Sequence, residues 1–171
     1  NFDVDRSTFN GLRYATGDAI IGMLPVDLQD PPELIPEFVQ HWENGIEVVA
    51  GARSNREESF AMRSMRKIFY RIVNSLADFE IPHDVGEFQL IDRKVLVAVL
   101  RHSDHHPYIR GIIASCGFKK LIIHYRWRAR KSGLSKSNLL IYTDQALNGV
   151  LTFTRVPIRI CTLAGIIIAI I

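Results

Sequence analysis

The sequence predicts an α/β domain with a mostly parallel β-sheet, followed by the start of a transmembrane helix. A strand, a helix and a second strand follow one another within residues 18–53, which is the βαβ arrangement of parallel sheets. Residues 160–171 are uncharged and almost wholly apolar, and Arg155 and Arg159 precede them as cytoplasmic anchors do. Because a membrane span needs about 20 apolar residues, we expect this run to be truncated. A buried terminal helix or strand is the alternative.

The composition is that of a folded domain with an uneven charge distribution. The chain has 171 residues, of which 47% are hydrophobic and 23% charged. Residues 1–100 hold 10 Lys and Arg against 16 Asp and Glu, whereas residues 101–171 hold 11 Lys and Arg against two Asp. The basic C-terminal part favours an anionic partner, such as a phosphate-bearing ligand, a nucleic acid or an acidic lipid. Two cysteines form no disulfide framework, which indicates a reducing compartment.

The βαβ unit begins with a buried strand over residues 18–24, "DAIIGML", which is apolar on both faces. Asp30 is the predicted N-cap of the helix that follows, with Pro31 and Pro32 in its first turn. This helix extends to about Trp42 and ends at an Asn-Gly pair. The stretch "IEVVAGAR" is then the second buried strand.

The rest of the chain predicts further helices and strands in alternation. They are a helix over residues 59–77, a strand over 88–91, a helix from Arg93, a short helix closed by Gly117, a strand within 119–129 and a helix over 136–149. The helix over 59–77 has one apolar stripe and a basic opposite side. That basic side is either solvated or faces a membrane surface or phosphates.

An acidic turn follows the first strand in "MLPVDLQDPPEL", residues 23–34. Ligand sites in α/β sheets lie beyond the carboxyl ends of the strands. In an extended segment Asp27 and Gln29 point to the same side. One or two carboxylates together with substrate phosphates are the usual ligands of Mg²⁺ in proteins. The alternative is that Asp27 and Asp30 only stabilise the turn and cap the helix.

Two other loops carry polar residues of interest. Arg130, Ser135 and Lys136 surround a glycine in "RARKSGLSK", and cations with exposed backbone N–H groups on one loop suit a diphosphate. Contact of this loop with phospholipid or solvent is the alternative. The histidines of "HSDHHP", residues 102–107, lack the spacing of structural zinc ligands, so we interpret them as a polar surface loop.

Read together and in this order, the segments resemble the family-2 glycosyltransferases, in particular the polyprenyl-phosphate branch that is similar to dolichol-phosphate mannose synthase. The stretches that carry the resemblance are "GLRYATGDAIIGMLPVDLQDPPELI", "VVAGARSNR", "FYRIVN", "DVGEFQLIDRKV", "YIRG", "GF" and "RKSGLSK". The resemblance implies a partial nucleotide-diphospho-sugar transferase domain (GT-A, Rossmann-like) over residues 1–135 that lacks its N-terminal part. It also implies a juxtamembrane helix and linker over 136–157 and a truncated transmembrane segment over 158–171.

The resemblance assigns a role to several positions. Asp27 matches the second Asp of an Asp-x-Asp motif that holds Mg²⁺ or Mn²⁺ on the donor diphosphate, with Gln29 beside it. Arg53 matches an arginine near the donor. Glu87 stands where the family usually has Asp, close to the sugar and the acceptor. The residues that match the phosphate-binding loop are Arg130, Ser135 and Lys136.

Two departures from the family pattern affect these roles. Pro25 replaces the first Asp of the metal motif, so metal binding is expected to depend on Asp27, on Gln29 and on the donor's phosphates. Glu87 is one methylene longer than the usual Asp.

The implied activity is that of a hexosyltransferase with catalytic residues Asp27 and Glu87. It moves a sugar, with inversion, from a nucleotide-diphosphate sugar to a polyprenyl phosphate such as undecaprenyl or dolichyl phosphate, for cell-envelope polysaccharide. The implied location is the inner (cytoplasmic) membrane, with the catalytic domain facing the cytoplasm. We expect the fragment alone to be inactive.

Two rival functions follow from the same residues. Pro25 favours a catalytically silent, membrane-attached module that binds a nucleotide sugar or an anionic lipid. A nucleic-acid binder would use the aromatic side chains of "HYRWRARKSGLSK" to stack bases. Because these aromatics alternate with arginines along a predicted strand, we expect them to face the core, and we predict no nucleic-acid partner.

Overall fold

The computed structural model describes residues 4–54, 84–102 and 108–128, and a few helical residues elsewhere. These are Ser64, Lys67, Ile68, Arg71, Ser75, Cys161, Thr162 and residues 165–168. The chain divides into one compact unit of residues 1–57 and 82–134 and a second unit of residues 58–81 and 135–171.

The first unit contains a four-stranded sheet and four α-helices among its described residues. In chain order the elements are α1 (Val4–Leu12), β1 (Ala19–Ile21), a 3₁₀ turn (Pro32–Leu34), α2 (Ile35–Glu43), β2 (Val48–Ser54), β3 (Val85–Asp92), α3 (Arg93–Leu100), α4 (Ile109–Ser115) and β4 (Lys120–Arg126). The strand–helix–strand unit β1–α2–β2 predicted from the sequence is confirmed, although β1 is shorter than residues 18–24. Helix α1 is an element that the sequence analysis does not identify.

The sheet is mixed, with the strand order β1-β3-β2-β4. Strand β3 lies between β1 and β2 and runs antiparallel to both, while β2 and β4 are parallel. The prediction of a mostly parallel sheet is therefore wrong for two of the three strand pairings. An apolar pattern reports that a strand is buried on both faces, but it carries no information about the strand's direction.

Helices cover both faces of the sheet and form two separate apolar cores. On one face Phe38 of α2 packs with Val49 of β2 and with Phe88 and Leu90 of β3. On the other face α1, α3 and α4 supply most of a larger cluster: Phe9, Leu12, Ile20, Val48, Ile91, Val95, Leu96, Val99, Ile109, Ile112 and Ile113. Adjacent residues such as Val48 and Val49 belong to opposite cores because successive side chains of a strand alternate between faces.

Several predicted elements lie partly or wholly outside the described residues. The described members of the predicted helix over 59–77 are helical, and the predicted helix over 136–149 lies outside the described part. Within the residues that the structure describes, we find no helix with the length and apolar character needed to cross a membrane. The division into segments 1–135, 136–157 and 158–171 stays a prediction.

Candidate functional site

Most of the described segments with predicted functional residues lie at one edge of the sheet. Strands β1, β2 and β4 end at this edge, and β3 begins there because it runs in the opposite direction. The Gly22 N–H donates to the Gln89 carbonyl (2.9 Å), and the Arg53 N–H donates to the Asp84 carbonyl (2.9 Å). We call this side of the sheet the carboxyl edge. The antiparallel direction of β3 is what brings Glu87 to the same edge as the acidic turn.

The acidic turn after β1 is a tight turn rather than an extended segment. The Leu28 N–H donates to the Pro25 carbonyl (3.1 Å), and Leu28 has a φ of +53°. A non-glycine residue rarely adopts this left-handed conformation. Asp27 is half-buried, and its Oδ1 accepts a hydrogen bond from the Gln29 N–H (3.3 Å). The alternation that would direct Asp27 and Gln29 to one side is therefore interrupted at Leu28.

Gln29 joins the acidic turn to the residue that begins the basic loop. Its side-chain Nε2 donates to the Arg128 carbonyl (3.2 Å), while its own carbonyl accepts from the Arg128 N–H (3.1 Å). The residue is buried. The amide nitrogen of Gln29 thus has a structural partner, and only its side-chain oxygen could coordinate a metal.

Asp30 is a buried ion-pair residue, and its prediction as a helix N-cap is wrong. Its exposure is 0%, and the 3₁₀ turn that follows begins after Pro31 without a side-chain cap. Its Oδ1 and Oδ2 accept hydrogen bonds from Arg53 Nε (3.1 Å) and Nη2 (2.8 Å), and Oδ1 also accepts from the Tyr125 hydroxyl. A buried carboxylate needs such partners more than a helix end needs a cap, because isolated burial of the charge is costly.

Arg53 is held on several sides at the end of β2. Besides the two-pronged pair with Asp30, its Cζ lies 5.2 Å from the centre of the Trp127 ring. A Cβ atom at Gly86 would lie 3.2 Å from its Nη2, so a larger residue there would press on the guanidinium. Burial opposes the charged form, but the hydrogen bonds that Arg53 donates to Asp30 and Tyr125 outweigh it and raise the pKa of Arg53. Arg53 is thus a fixed, permanently charged cation with 22% of its side chain exposed.

Tyr125 completes this cluster from β4. Burial and the hydrogen bond to Asp30 raise the pKa of Tyr125, so the phenol stays protonated as a donor. Its ring meets Phe88 edge-on at a centroid distance of 6.0 Å and packs over Gly51. The prediction that the aromatic residues of this strand face the core is confirmed for Tyr125, which is buried. A buried ring offers no platform for base stacking, which the nucleic-acid alternative requires.

Glu87 lies at the beginning of β3 and faces an arginine that the sequence analysis did not assign. Its Oε1 is 3.7 Å from Arg110 Nε, and Arg110 Nη1 donates to the Val85 carbonyl (3.2 Å). Both side chains line a cleft with Thr8, Gly22 and Gln89. About a quarter of the Glu87 side chain is exposed, so its carboxylate is accessible to solvent. The sequence signal for Arg110 was the stretch "YIRG", which carried the resemblance without a role.

Comparison with known proteins identifies the family. The family model described as glycosyl transferase family 2 matches residues 1–100. The chain belongs to glycosyl transferase family 2. The resemblance inferred from the motifs is therefore confirmed.

Relatives of this glycosyltransferase chain are found in bacteria and their phages. It is 35% identical over 170 residues to a protein of Bacillus subtilis named uncharacterized glycosyltransferase YkcC, covering 99% of this chain and 52% of the relative. It is 34% identical to a prophage bactoprenol glucosyl transferase homolog of Escherichia coli and 32% identical to the bactoprenol glucosyl transferase of Shigella phage SfX. Each of these two alignments covers 99% of this chain and 55% of the relative. The chain thus spans about half the length of the curated relatives it matches.

At the carboxyl edge Asp27 and Gln29 offer oxygen atoms of the kind that bind Mg²⁺, although the turn at Leu28 interrupts the alternation that would direct both to one side. Over the described ranges, no group of three or more His, Cys, Asp or Glu side chains could hold a metal ion. The acidic turn supplies one carboxylate, from Asp27, and one amide oxygen, from Gln29. Mg²⁺ is commonly bound by one or two protein oxygens plus phosphates and water. The metal role of both residues stays a prediction.

Some predicted site residues lie outside the described residues. They are Arg130, Ser135 and Lys136 of the basic loop, and most of the histidine-rich loop. The structure does place Arg128, the first residue of the basic loop, beside the acidic turn through its backbone bonds with Gln29. The Arg128 side chain pairs with Glu33 (3.2 Å) at the surface.

Proposed function

We propose that the protein containing this chain transfers a sugar from a nucleotide-diphosphate sugar to a polyprenyl phosphate, with inversion at the anomeric carbon. Membership of glycosyl transferase family 2 supports sugar transfer, and relatives named bactoprenol glucosyl transferase support a polyprenyl acceptor. The observation that carries the proposal is that Asp27, Arg53 and Glu87 lie at the same edge of the sheet, Arg53 on the face that α2 covers and Glu87 in the cleft on the opposite face. A carboxylate, a fixed guanidinium and a second carboxylate in a cleft are the groups that this reaction needs.

The reaction requires stabilisation of the leaving nucleoside diphosphate. Negative charge develops on the diphosphate as its bond to the sugar breaks, so a cation at that position lowers the barrier more than it strengthens ground-state binding. In the proposed enzyme Arg53 supplies a fixed positive charge there. A divalent cation, Mg²⁺ or Mn²⁺, when bound at Asp27 and Gln29, would supply further charge neutralisation to the same group.

The acceptor needs little activation because a polyprenyl phosphate is already an anionic nucleophile. We therefore assign Glu87 to positioning the acceptor or the sugar rather than to removing a proton. Glu87→Gln keeps the size of the side chain and removes its charge. We expect it to lower turnover at saturating acceptor, and full turnover of this variant would contradict the assigned role.

A donor and acceptor screen with the full-length protein tests the proposed function. Radiolabelled UDP-, GDP- and dTDP-sugars are offered with undecaprenyl or dolichyl phosphate in Mg²⁺ or Mn²⁺. We expect label in the lipid fraction for at least one nucleotide sugar, and loss of that label with excess EDTA. No transfer from any donor, with the protein folded, would contradict the proposal.

The proposed membrane location follows from the acceptor and from the C-terminal apolar run. A polyprenyl phosphate resides in the membrane, and the basic C-terminal part of the chain suits an anionic lipid surface. We propose attachment to the inner (cytoplasmic) membrane with the catalytic domain on the cytoplasmic side. Fractionation of cells that express the full-length protein, followed by protease accessibility, tests both statements.

A second candidate function is a silent binding module for a nucleotide sugar or an anionic lipid. It is favoured by Pro25, which offers no side-chain ligand at the position where the family pattern has an Asp. The same screen separates the two candidates, because a silent module would bind the nucleotide sugar in calorimetry without transferring the sugar.

A further inference from the structure

We propose that Asp30 and Tyr125 are positioning residues that hold Arg53, and with it the acidic turn, in the arrangement required at the donor diphosphate. The inference rests on the proposed function, because it concerns the same site. Asp30 follows Asp27 by three residues, and its carboxylate binds Arg53 of β2 and Tyr125 of β4. One buried side chain therefore links the turn after β1 to the ends of two other strands.

The geometry restricts Arg53 to a single orientation. The fork formed by Nε and Nη2 matches both oxygens of Asp30, at 3.1 and 2.8 Å, and such bidentate pairing fixes the plane of the guanidinium. The Tyr125 hydroxyl lies 3.4 Å from the same Nε, and the Trp127 ring covers a face of the group. Because Gly86 has no side chain, the β3 backbone can approach the guanidinium closely. Each of these neighbours lies on a segment that reaches the carboxyl edge of the sheet.

The buried ion pair of Asp30 and Arg53 is better explained by the positioning of a charge than by stabilisation of the fold. A buried ion pair contributes little more to stability than apolar side chains of similar volume would, because both charges lose their hydration. What the pair provides here is a cation whose position is fixed before a ligand arrives. Pre-ordered charge is effective in catalysis because it requires no rearrangement when the leaving group becomes negative.

The same bonds fix the acidic turn. Asp30 is held by its hydrogen bonds with Arg53 and Tyr125. Gln29 is held by hydrogen bonds from its backbone and its side chain to the backbone of Arg128. Asp27 lies two residues before Gln29 and accepts the Gln29 N–H. Loss of the Asp30 carboxylate would therefore displace both the cation and the carboxylate of the proposed donor site.

The test compares four variants of the full-length protein: Asp30→Asn, Tyr125→Phe, Arg53→Gln and the double variant Asp30→Asn with Arg53→Gln. The assay measures kcat and KM for UDP-glucose with undecaprenyl phosphate, or for the donor that the screen identifies. Glu47→Gln is the matched control, because it removes the carboxylate of a surface ion pair with Lys94 on the opposite edge. Circular dichroism and the thermal midpoint report whether each variant is folded.

We expect Asp30→Asn to reduce kcat/KM by about tenfold or more, since a hydrogen bond to a charged group is worth that factor or more. Tyr125→Phe keeps the ring packing and should cause a smaller loss. In the Arg53→Gln background, Asp30→Asn should cause little further loss, because the two residues act as one unit. Glu47→Gln should retain the parent values.

Additive losses in the double variant would overturn the proposal, because Asp30 would then act independently of Arg53. So would unchanged kinetics in a folded Asp30→Asn protein. If Asp30→Asn does not fold, Tyr125→Phe decides, and unchanged kinetics in that variant would overturn the proposal.

Calorimetric measurement of UDP binding in the presence of Mn²⁺ distinguishes failure of the positioning role of Asp30 and Tyr125 from failure of the proposed function. A parent that binds UDP but transfers no sugar contradicts the proposed function alone. The same set of variants is then compared by the dissociation constant for UDP, with the same expected order and the same coupling.

Discussion

Two aspartates in similar sequence surroundings have opposite roles at the two edges of the sheet. Asp30 lies in the turn after β1 and Asp92 is the last residue of β3, and each precedes a helical segment. Asp92 is the N-cap of α3, where its Oδ1 accepts from the Lys94 N–H (2.9 Å) and its Oδ2 accepts from Trp42 Nε1 (2.8 Å). Asp30 caps no helix and binds a buried arginine instead. The neighbours across the sheet, rather than the local sequence, decide which role an aspartate takes.

The ion pairs at the two edges differ in the same way. Glu47 and Lys94 form a close pair (2.7 Å) at the edge opposite the carboxyl edge, but more than half of the Lys94 side chain is exposed. The hydrogen bond from Lys94 lowers the pKa of Glu47, with further help from the Lys119 N–H. Such surface pairs contribute little to stability because water and salt screen them. When one partner of the buried Asp30–Arg53 pair is lost, water does not solvate the remaining charge to the same extent.

The largest effect on stability should come from breaking the buried pair. Asp30→Asn leaves the Arg53 guanidinium partly buried without a counter-charge, which should cost about 3–5 kcal/mol of the free energy of unfolding. Urea unfolding followed by circular dichroism measures this loss. Glu47→Gln is the matched surface variant and should leave the unfolding midpoint unchanged; equal shifts for the two variants would remove the contrast between the edges.

A smaller loss of folding stability should follow from a side chain at Gly51, where the Tyr125 ring packs against β2. A Cβ atom at Gly51 would lie 2.7 Å from Tyr125 Cε1 and 3.1 Å from the Phe88 carbonyl oxygen. Gly51→Ala should therefore destabilise the fold by about 1–3 kcal/mol through overpacking. Thermal unfolding measures the change. Gly11→Ala in α1 is the control, because a Cβ atom there meets no atom within 4 Å outside the adjoining residues and the backbone of its own helix. A Gly51→Ala protein as stable as this control would contradict the packing described here.

Removal of the true cap should have a still smaller effect. Asp92→Ala eliminates the acceptor for the Lys94 N–H and for Trp42 Nε1, and loss of an N-cap costs about 0.5–2 kcal/mol. Asp92→Asn, which can still accept a hydrogen bond, should recover most of this stability. Denaturant unfolding of the two variants tests the assignment, and equal losses for both would show that the charge of Asp92 matters more than its capping bond.

The smallest effect is expected at neutral pH for Tyr125→Phe, because phenylalanine keeps the packing of the ring and removes only one of the three hydrogen bonds that the Asp30 carboxylate accepts. The difference should depend on pH. Because the pKa of Tyr125 is raised in the folded state, the unfolded chain loses this proton first, at a pKa of about 10. The parent should therefore lose stability as the pH rises above about 10, and the Phe variant should lose less. Parallel losses in the two proteins would indicate that Tyr125 titrates normally.

Much of the fold could be predicted from local patterns in the sequence. The apolar stretches that became β2, β3 and β4 and the helix signals around Pro32 and Arg93 correspond to elements of the structure. The direction of β3 could not be predicted, because residues buried on both faces look alike in either direction. Helix α1 has only nine residues and includes Gly11, so its helical pattern in the sequence is weak.

The candidate site divides in the same way between local and non-local information. Asp27, Arg53 and Glu87 could be predicted as site residues because each matches a family motif close to a strand terminus. The role of Asp30 was missed because its partners are 23 and 95 residues away in the sequence. A proline pair after an aspartate indicates a helix start. No local sequence pattern indicates that the aspartate pairs with a buried arginine on another strand.

We propose that the carboxyl edge is the catalytic site of a glycosyltransferase. The most direct test of this assignment is transfer of labelled glucose from UDP-glucose to undecaprenyl phosphate by the full-length protein, compared with its Asp27→Asn and Glu47→Gln variants. We expect a loss of about 100-fold or more in kcat for Asp27→Asn, since removal of one group that stabilises the transition state typically has this effect. Glu47→Gln should be as active as the parent. Full turnover by a folded Asp27→Asn protein would contradict the assignment of the site.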